Sequence, residues 1–130
     1  MIVAALIAAS LIAPEAQLIL DQGHWGLITG DLSAESISQA KTCEGPWISF
    51  AFSETEVQVI PHEGKSPPSS PPEIYRAVRV VETPPHTRFE LFYVSSDRAA
   101  ARRYLYDPSV QSLMRLMPDG DGDALYVLCD

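Results

Sequence analysis

Positive charge is scarce in this sequence, and it is never clustered. Nine lysine and arginine residues stand against 17 aspartate and glutamate residues, which gives a formal net charge of -8 over 130 residues. The longest basic run is Arg102-Arg103. Nucleic acids and anionic membrane surfaces are bound by clustered basic side chains, so the sequence predicts neither kind of partner.

Catalytic and cofactor motifs are also missing. The chain has no G-x-S-x-G nucleophile elbow, no glycine-rich phosphate loop and no C-x-x-C pair. His62-Glu63 begins like the zinc-protease motif H-E-x-x-H, but Ser66 occupies the position of the second histidine. The sequence therefore predicts no cofactor.

Two weaker groupings contain residue types that bind metals or transfer protons. Asp119, Asp121 and Asp123 open like a calcium-binding EF-hand loop, but the required glycine and the final glutamate are absent, which indicates an acidic hairpin turn and no metal site. A general base is the remaining possibility, and its candidates are His24, His62 and His86. These histidines are scattered, so the sequence leans against an enzyme without excluding one.

An apolar stretch without lysine or arginine opens the chain. Residues 1–13 are uncharged and are followed by Pro14-Glu15-Ala16, a pattern typical of a secretory signal peptide. We predict a signal peptide over residues 1–16 with its cleavage point open. Cleavage after Ala16 places Pro14 at the third position back, whereas cleavage after Ser10 satisfies the small-x-small rule but leaves a very short apolar region before it.

Two alternatives to a cleaved signal peptide remain, an uncleaved membrane anchor and a buried first element of a cytosolic protein. Apolar character resumes at Leu18, but Pro14 and Glu15 interrupt the stretch that a membrane span would need. We favour a periplasmic or secreted protein with no stable membrane insertion after cleavage. Arginine outnumbers lysine, which we interpret as a sign of a GC-rich bacterial genome.

The two cysteines, Cys43 and Cys129, agree with export. An even pair far apart in sequence predicts a structural disulfide in an oxidising compartment. Closing so long a loop contributes roughly 4–5 kcal/mol by loop entropy.

Beyond residue 16, short stretches of alternating apolar and polar residues are separated by turn residues, which is typical of β-strands. Asp31 or Ser33 is positioned to cap a short helix over Leu32 to Lys41. Residues 17–130 therefore predict one all-β domain, an up-and-down meander of about eight strands forming a closed or partly open barrel, with one short helix near the N-terminus. The predicted strands cover residues 24–29, 47–53, 56–60, 75–83, 87–94, 102–106, 112–117 and 124–129.

The start of this domain resembles exported lipocalin-like barrels in outline. Gly23-x-Trp25 matches the G-x-W of the first lipocalin strand, and a helix and Cys43 follow. A second lipocalin motif is absent, and the predicted mature chain is short for that family. Small bacterial periplasmic inhibitors of metalloproteases share the size, export and barrel, but their cysteine pair lies early in the chain. The resemblance implies a barrel that is solid or holds one small ligand, and it assigns no family.

Apolar residues on the predicted strands carry the leading functional hypothesis. We predict that Trp25, Phe50, Phe89 and Leu91 line a site for a small apolar or amphipathic ligand inside the barrel, with core packing as the alternative use of such residues. The second hypothesis is a protein-interaction or inhibitor module that acts through the proline-rich loop from Pro61 to Glu73.

Arginines on the predicted strands could also converge on an anionic ligand. Alternation along a strand places Arg102 and Arg103 on opposite faces, so at most part of the set can point inward. The five candidates are Arg79, Arg88, Arg102, Arg103 and Arg115.

Overall fold

A computed structural model describes residues 11–68, 70–116 and 123–129, and within these ranges it contains two short helices and nine strands. The acidic turn predicted around Asp119 and Asp121 lies outside the described residues. The elements are α1 (Pro14–Leu20), β1 (His24–Leu27), α2 (Ala34–Ala40), β2 (Pro46–Phe52), β3 (Val57–Glu63), β4 (Glu73–Tyr75), β5 (Ala77–Thr83), β6 (His86–Phe92), β7 (Arg102–Asp107), β8 (Ser112–Leu116) and β9 (Ala124–Cys129).

The strands form one antiparallel sheet in the order β4-β3-β2-β1-β9-β8-β7-β6-β5, which curls into a nearly closed barrel. Apart from β4 and β5, strands that follow one another along the chain pair with one another, and β1 pairs with β9 to join the two ends of the meander. The predicted all-β up-and-down barrel is therefore confirmed. Strands β4 and β5 stand at the two ends of the sheet order, and each of the other seven described strands has a hydrogen-bonded neighbour on both sides.

The strand count differs from the predicted eight because the predicted strand from Tyr75 to Thr83 is divided at Arg76, and the part before the bend extends back to Glu73 as β4. The chain from Glu73 to Thr83 bends at Arg76, so that β4 pairs with β3 and β5 pairs with β6. The backbone N–H of Arg76 donates to the carbonyl of Phe92 at 2.8 Å. One continuous segment thus contributes to both sides of the remaining gap in the barrel.

Strand β3 also runs further than predicted, into the proline-rich loop. Pro61 and His62 pair with β2, opposite Ile48 and Trp47. Strand β4 opposes only Val57–Val59, so β3 is already an edge strand at Pro61, which is where a residue without a backbone N–H is tolerated.

Helix α2 is the helix predicted from the sequence. Ser33 is its N-cap, and its side chain accepts a hydrogen bond from the backbone N–H of Ser36 at 3.1 Å. The helix ends against β1, where Gly26 lies directly below the carbonyl of Ala40. The predicted disulfide between Cys43 and Cys129 is confirmed, and it ties the chain after α2 to the last residue of β9.

Helix α1 was not predicted, because the sequence pattern was interpreted as part of a signal peptide. Pro14 stands in its first turn, where the fixed φ of proline favours helix initiation. Its buried side, Ala16 and Leu20, faces the barrel core. The predicted domain boundary after Ala16 falls inside α1, and removal of the leader stays a prediction. Neither helix in the described ranges has the length and apolar character needed to cross a bilayer.

Candidate functional site

The four residues predicted to line a ligand site are all buried in the barrel core. Trp25, Phe89 and Leu91 are fully buried, and Phe50 is 3% exposed. The indole N–H of Trp25 donates to the carbonyl of Leu20 at 2.9 Å, which fixes α1 against the interior. The ring of Phe50 meets Tyr104, and that of Trp25 meets Tyr106, in edge-to-face contacts. Contact of the four residues with a ligand stays a prediction.

Three charged side chains share the inner face of the sheet with these apolar residues. Residues paired across antiparallel strands point to the same face. Glu73 pairs with Val59, Arg102 with Leu91, and Arg115 with Tyr104, and the second member of each pair is buried in the core. The three charges therefore project towards the barrel interior.

Glu73 and Arg102 form one linked pair together with Tyr75. Arg102 Nη2 donates to Glu73 Oε2 at 3.0 Å, and the Tyr75 hydroxyl donates to Glu73 Oε1 at 2.7 Å. Burial raises the pKa of Tyr75, and its hydrogen bond to Glu73 raises it further. Tyr75 thus remains a hydrogen-bond donor at neutral pH, and the negative charge of Glu73 is matched inside the barrel.

Arg115 lies in a cavity of about 170 Å³ on this inner face. Its Nε is buried and donates to no acceptor among the described residues. Burial raises the pKa of Tyr126, while the nearby positive charge of Arg115 opposes that rise. The buried Nε–H donor of Arg115 and the uncharged hydroxyl of Tyr126 thus share this cavity. The residues around it are Ile48, Val59, Pro61, Ser70, Pro71, Glu73, Tyr104, Arg115 and Tyr126.

The cavity wall combines apolar and polar chemistry. Ile48, Val59 and Pro61 provide an apolar side, and burial raises the pKa of Tyr104 so that its hydroxyl stays protonated. Ser70 and Pro71 belong to the proline-rich loop and border the same cavity. Such a wall fits a small molecule with an apolar body and an acidic or carbonyl oxygen that accepts from Arg115.

The other three strand arginines lie on the outer face of the sheet, around Glu90. Arg79 Nε donates to Glu90 Oε1 at 2.8 Å, and Arg88 and Arg103 approach the second carboxylate oxygen at 3.4 and 3.5 Å. Burial alone would raise the pKa of Glu90, but the hydrogen bond from Arg79 and the three positive charges hold it below its ordinary value. The arginines thus divide between the two faces, with Arg102 and Arg103 on opposite sides as alternation predicts.

The histidines are not brought together into one site. His24 and His62 stack on either side of the Trp47 ring, at centroid distances of 4.1 and 3.7 Å, whereas His86 lies 3.6 Å from Asp107. Burial lowers the pKa of His62, and the positive charge of His24 lowers it further. The hypothesis of a general base built from several histidines therefore finds no common centre among the described residues.

A serine also contacts one of these histidines. Ser49 Oγ lies 2.9 Å from His62 Nε2, which is the spacing of a nucleophile and its base. Among the described residues, however, no carboxylate is hydrogen-bonded to His62, so the pair lacks the third member that orients a catalytic triad. Across all the residues that the structure describes, no group of three or more histidine, cysteine, aspartate or glutamate residues is arranged to hold a metal ion.

The proline-rich loop is exposed on the surface between β3 and β4. Residues 65–68 and 70–72 are all exposed. At its start the indole N–H of Trp47 donates to the carbonyl of Gly64 at 2.9 Å. The second functional hypothesis, a loop that binds a protein partner, stays a prediction.

The cavity at Arg115 was only partly foreseen from the sequence. The sequence predicts Arg115 as one of five candidate arginines, and it gives no prediction for Glu73, Tyr104 and Tyr126. Alternation with the buried Leu113 is the signal that could have assigned Arg115 to the inner face. Comparison with known protein families, characterised proteins and solved structures finds no match to this chain, so the functional argument depends on the geometry described here.

Proposed function

We propose that this protein is an exported, non-enzymatic β-barrel protein that binds a small amphipathic ligand in the cavity at Arg115. The observation that carries the proposal is the buried Nε of Arg115, which has no protein acceptor among the described residues although it lies beside an apolar wall. A buried donor without an acceptor is costly, and a ligand oxygen would remove that cost.

The ligand we infer has one acidic group and a small apolar body. Glu73 is matched by Arg102, which leaves Arg115 as the cation that a ligand carboxylate would meet. The cavity volume of about 170 Å³ is below the roughly 300–1,000 Å³ of pockets that take drug-sized molecules, so a metabolite of about ten non-hydrogen atoms is the appropriate size.

Export is part of the same proposal. The Cys43–Cys129 disulfide is consistent with an extracellular or periplasmic compartment, because thiols stay reduced in the cytosol. We place the mature protein in the periplasm or outside the cell, and the sequence composition points to a bacterial source.

The experiment uses benzoate as the acidic probe and benzamide as its neutral isostere. We expect the folded protein to bind benzoate saturably in isothermal titration calorimetry. Arg115→Met should weaken that binding at least tenfold, because a charge-assisted hydrogen bond is worth about 1.5–3 kcal/mol. Arg98→Met, a change of an exposed arginine outside the cavity, is the matched control and should leave affinity unchanged. Benzamide should bind more weakly than benzoate to the parent protein, and Arg115→Met should weaken benzamide binding by a smaller factor, because a neutral carbonyl makes a weaker hydrogen bond to Arg115 than a carboxylate does.

Native mass spectrometry of the gently purified exported protein detects bound ligands other than the benzoate probe. A small mass that is lost on denaturation, and is absent from Arg115→Met, supports the proposal. No released mass together with no saturable benzoate binding refutes it. A co-purified polypeptide that is lost when residues 65–68 are replaced by glycine and serine would instead favour the interaction module.

A further inference from the structure

The outer face of β5, β6 and β7 carries a cluster of positive charge. Three arginines, one from each of these strands, surround the carboxylate of Glu90. They are Arg79, Arg88 and Arg103, and we call them together with Glu90 the basic patch. Its positive charges outnumber its negative charge, although the chain as a whole has a formal net charge of -8. The patch is therefore a local exception in an acidic protein.

Glu90 uses only part of the hydrogen-bonding capacity of these arginines. Arg79 donates through Nε and Nη2 to Oε1 of the carboxylate. The Nε atoms of Arg88 and Arg103 lie 3.4 and 3.5 Å from Oε2, but neither side chain donates a hydrogen bond to any described residue. Because every guanidinium group carries five N–H donors, these two side chains keep a large capacity for an outside acceptor.

The same two side chains are held in place and are still open to solvent. Both approach one oxygen atom of Glu90, so the carboxylate holds the two guanidinium groups side by side. The side chain of Arg88 is 34% exposed and that of Arg103 is 36% exposed. Asp107, on the same face of β7, is engaged by His86 at 3.6 Å. Charges that are already ordered lose little entropy when they bind a ligand.

We propose that Arg88 and Arg103 bind one tetrahedral oxyanion, a phosphate or sulfate group, on the outer face of the barrel. Arginine matches the oxygens of such a group, and the several oxygens of one group can meet both guanidinium groups at once. Arg79 contributes its charge from the side, since its own fork is occupied by Glu90. Three arginines suit a single anionic group, whereas a polyanion such as a nucleic acid needs a longer basic surface.

This site is separate from the cavity at Arg115. Arg103 and Glu90 are partners on the outer face, whereas Arg115 is paired with the buried Tyr104 on the inner face. The two sites thus lie on opposite sides of the sheet. The oxyanion site therefore stands or falls independently of the ligand proposed for the barrel interior.

Glu90 has two opposed effects on the oxyanion site. It orders Arg88 and Arg103, but its negative charge repels an incoming anion. The arginines hold the pKa of Glu90 below its ordinary value, so this charge is present at neutral pH. Glu90→Gln should therefore raise the affinity for phosphate roughly threefold, because it removes a like charge a few ångströms from the ligand. An ion-pair network with a purely structural role does not produce this increase.

The test is a titration of inorganic phosphate into the oxidised full chain, followed by the nuclear magnetic resonance signals of the arginine Nε–H groups. We expect the Arg88 and Arg103 signals to shift saturably, and the affinity to fall as sodium chloride is added. Arg88→Met should weaken binding about fivefold, because it removes a charge-assisted contact at a partly exposed site. Arg76→Met changes an exposed arginine outside the patch, and as the matched control it should leave the affinity unchanged within about twofold.

Two further probes identify the form of the ligand. Glycerol phosphate that binds more tightly than inorganic phosphate assigns the site to a phosphate monoester, and the reverse order assigns it to the free ion. Acetate that binds as tightly as phosphate overturns the tetrahedral oxyanion, because a carboxylate then satisfies the site equally well.

The remaining outcomes decide the site itself. Absence of saturable shifts at Arg88 and Arg103 overturns the proposal, and so does equal weakening by Arg88→Met and Arg76→Met. A Glu90→Gln variant that is folded but binds phosphate more weakly than the parent also overturns it. Thermal melts without phosphate show which variants are folded, and Arg103→Met replaces Arg88→Met if the latter is not. Benzoate binding at Arg115 should be the same in all of these variants.

Discussion

The contact between α2 and β1 provides the sharpest test of the packing. A Cβ atom added at Gly26 would lie 1.9 Å from the carbonyl oxygen of Ala40 and 2.9 Å from its carbon. Ordinary van der Waals contact begins near 3.4 Å, so Gly26→Ala requires the end of α2 to retreat by roughly 1.5 Å. That retreat is opposed by the Cys43–Cys129 disulfide, which anchors the chain three residues beyond Ala40.

The size of the effect follows from this anchoring. Overpacking a rigid site costs about 1–3 kcal/mol, and we expect the upper end because the obstructing atom belongs to the backbone and cannot rotate away. A loss of about 3 kcal/mol corresponds to a fall of roughly 10 °C in melting temperature for a domain of this size. Gly26 therefore tolerates no side chain, although it lies within a strand, where glycine is usually unfavourable.

The assay is urea unfolding followed by tryptophan fluorescence, with the disulfide intact. Gly45→Ala is the matched control, because a Cβ at Gly45 would have no atom within 4 Å and its φ is not positive. We expect the control to unfold within about 1 kcal/mol of the parent protein. If Gly26→Ala is as stable as Gly45→Ala, the proposed packing of α2 on β1 is wrong.

Two further predictions concern covalent and ionic stabilisation. Replacing both Cys43 and Cys129 by serine should lower the free energy of unfolding by up to roughly 4.5 kcal/mol, since the bond closes a loop with a sequence separation of 86, and urea unfolding with and without reductant measures it. Glu90→Gln should lower the free energy of unfolding at pH 7 by about 1–2 kcal/mol. This is a low value for a hydrogen-bonded charge, because the arginine partners of Glu90 are partly exposed to solvent. The pKa of Glu90 is held below the ordinary 4.5, so this contribution is complete above about pH 4.5 and is lost as the pH falls through the lowered value. Thermal melts between pH 2 and pH 7 should therefore converge for parent and variant in acid, and parallel curves would contradict the assignment.

The strands were predictable because alternation is a local property. Each strand that lies half buried repeats its apolar residues every second position, and prolines and glycines separate the strands, so element type follows from short windows of sequence. The capping of α2 by Ser33 is equally local. The disulfide followed from the cysteine count and the expected compartment, without any knowledge of geometry.

Features that depend on register were beyond the sequence. Glu90 lies on the outer face and is still only 5% exposed, because Arg79 and Arg103 reach it from the two neighbouring strands. Arg115 points inward against the usual tendency of arginine to be exposed, and its pairing with Tyr104 establishes this. The bend at Arg76 also needs the pairing of both neighbours, since the sequence predicts a single strand from Tyr75 to Thr83.

Helix α1 shows a different kind of ambiguity. An uncharged apolar stretch near the start of a chain is suited both to a signal peptide and to a buried element, and composition alone does not separate the two. In the structure Ile12 pairs with Val78 and Ala16 is enclosed by the core, so these residues pack as part of the barrel, while removal of a leader stays a prediction.

The pairing of β1 with β9 determines when the protein can fold. Trp25 and Leu128 are partners across more than 100 residues, so the barrel closes only after the C-terminal strand has become available. Non-local pairing of this kind folds slowly, because a large loop must close before the contacts stabilise it. A chain that is still being synthesised therefore lacks the strand that joins the two ends of its barrel, and β1 stays without one of its two neighbours until β9 has been made.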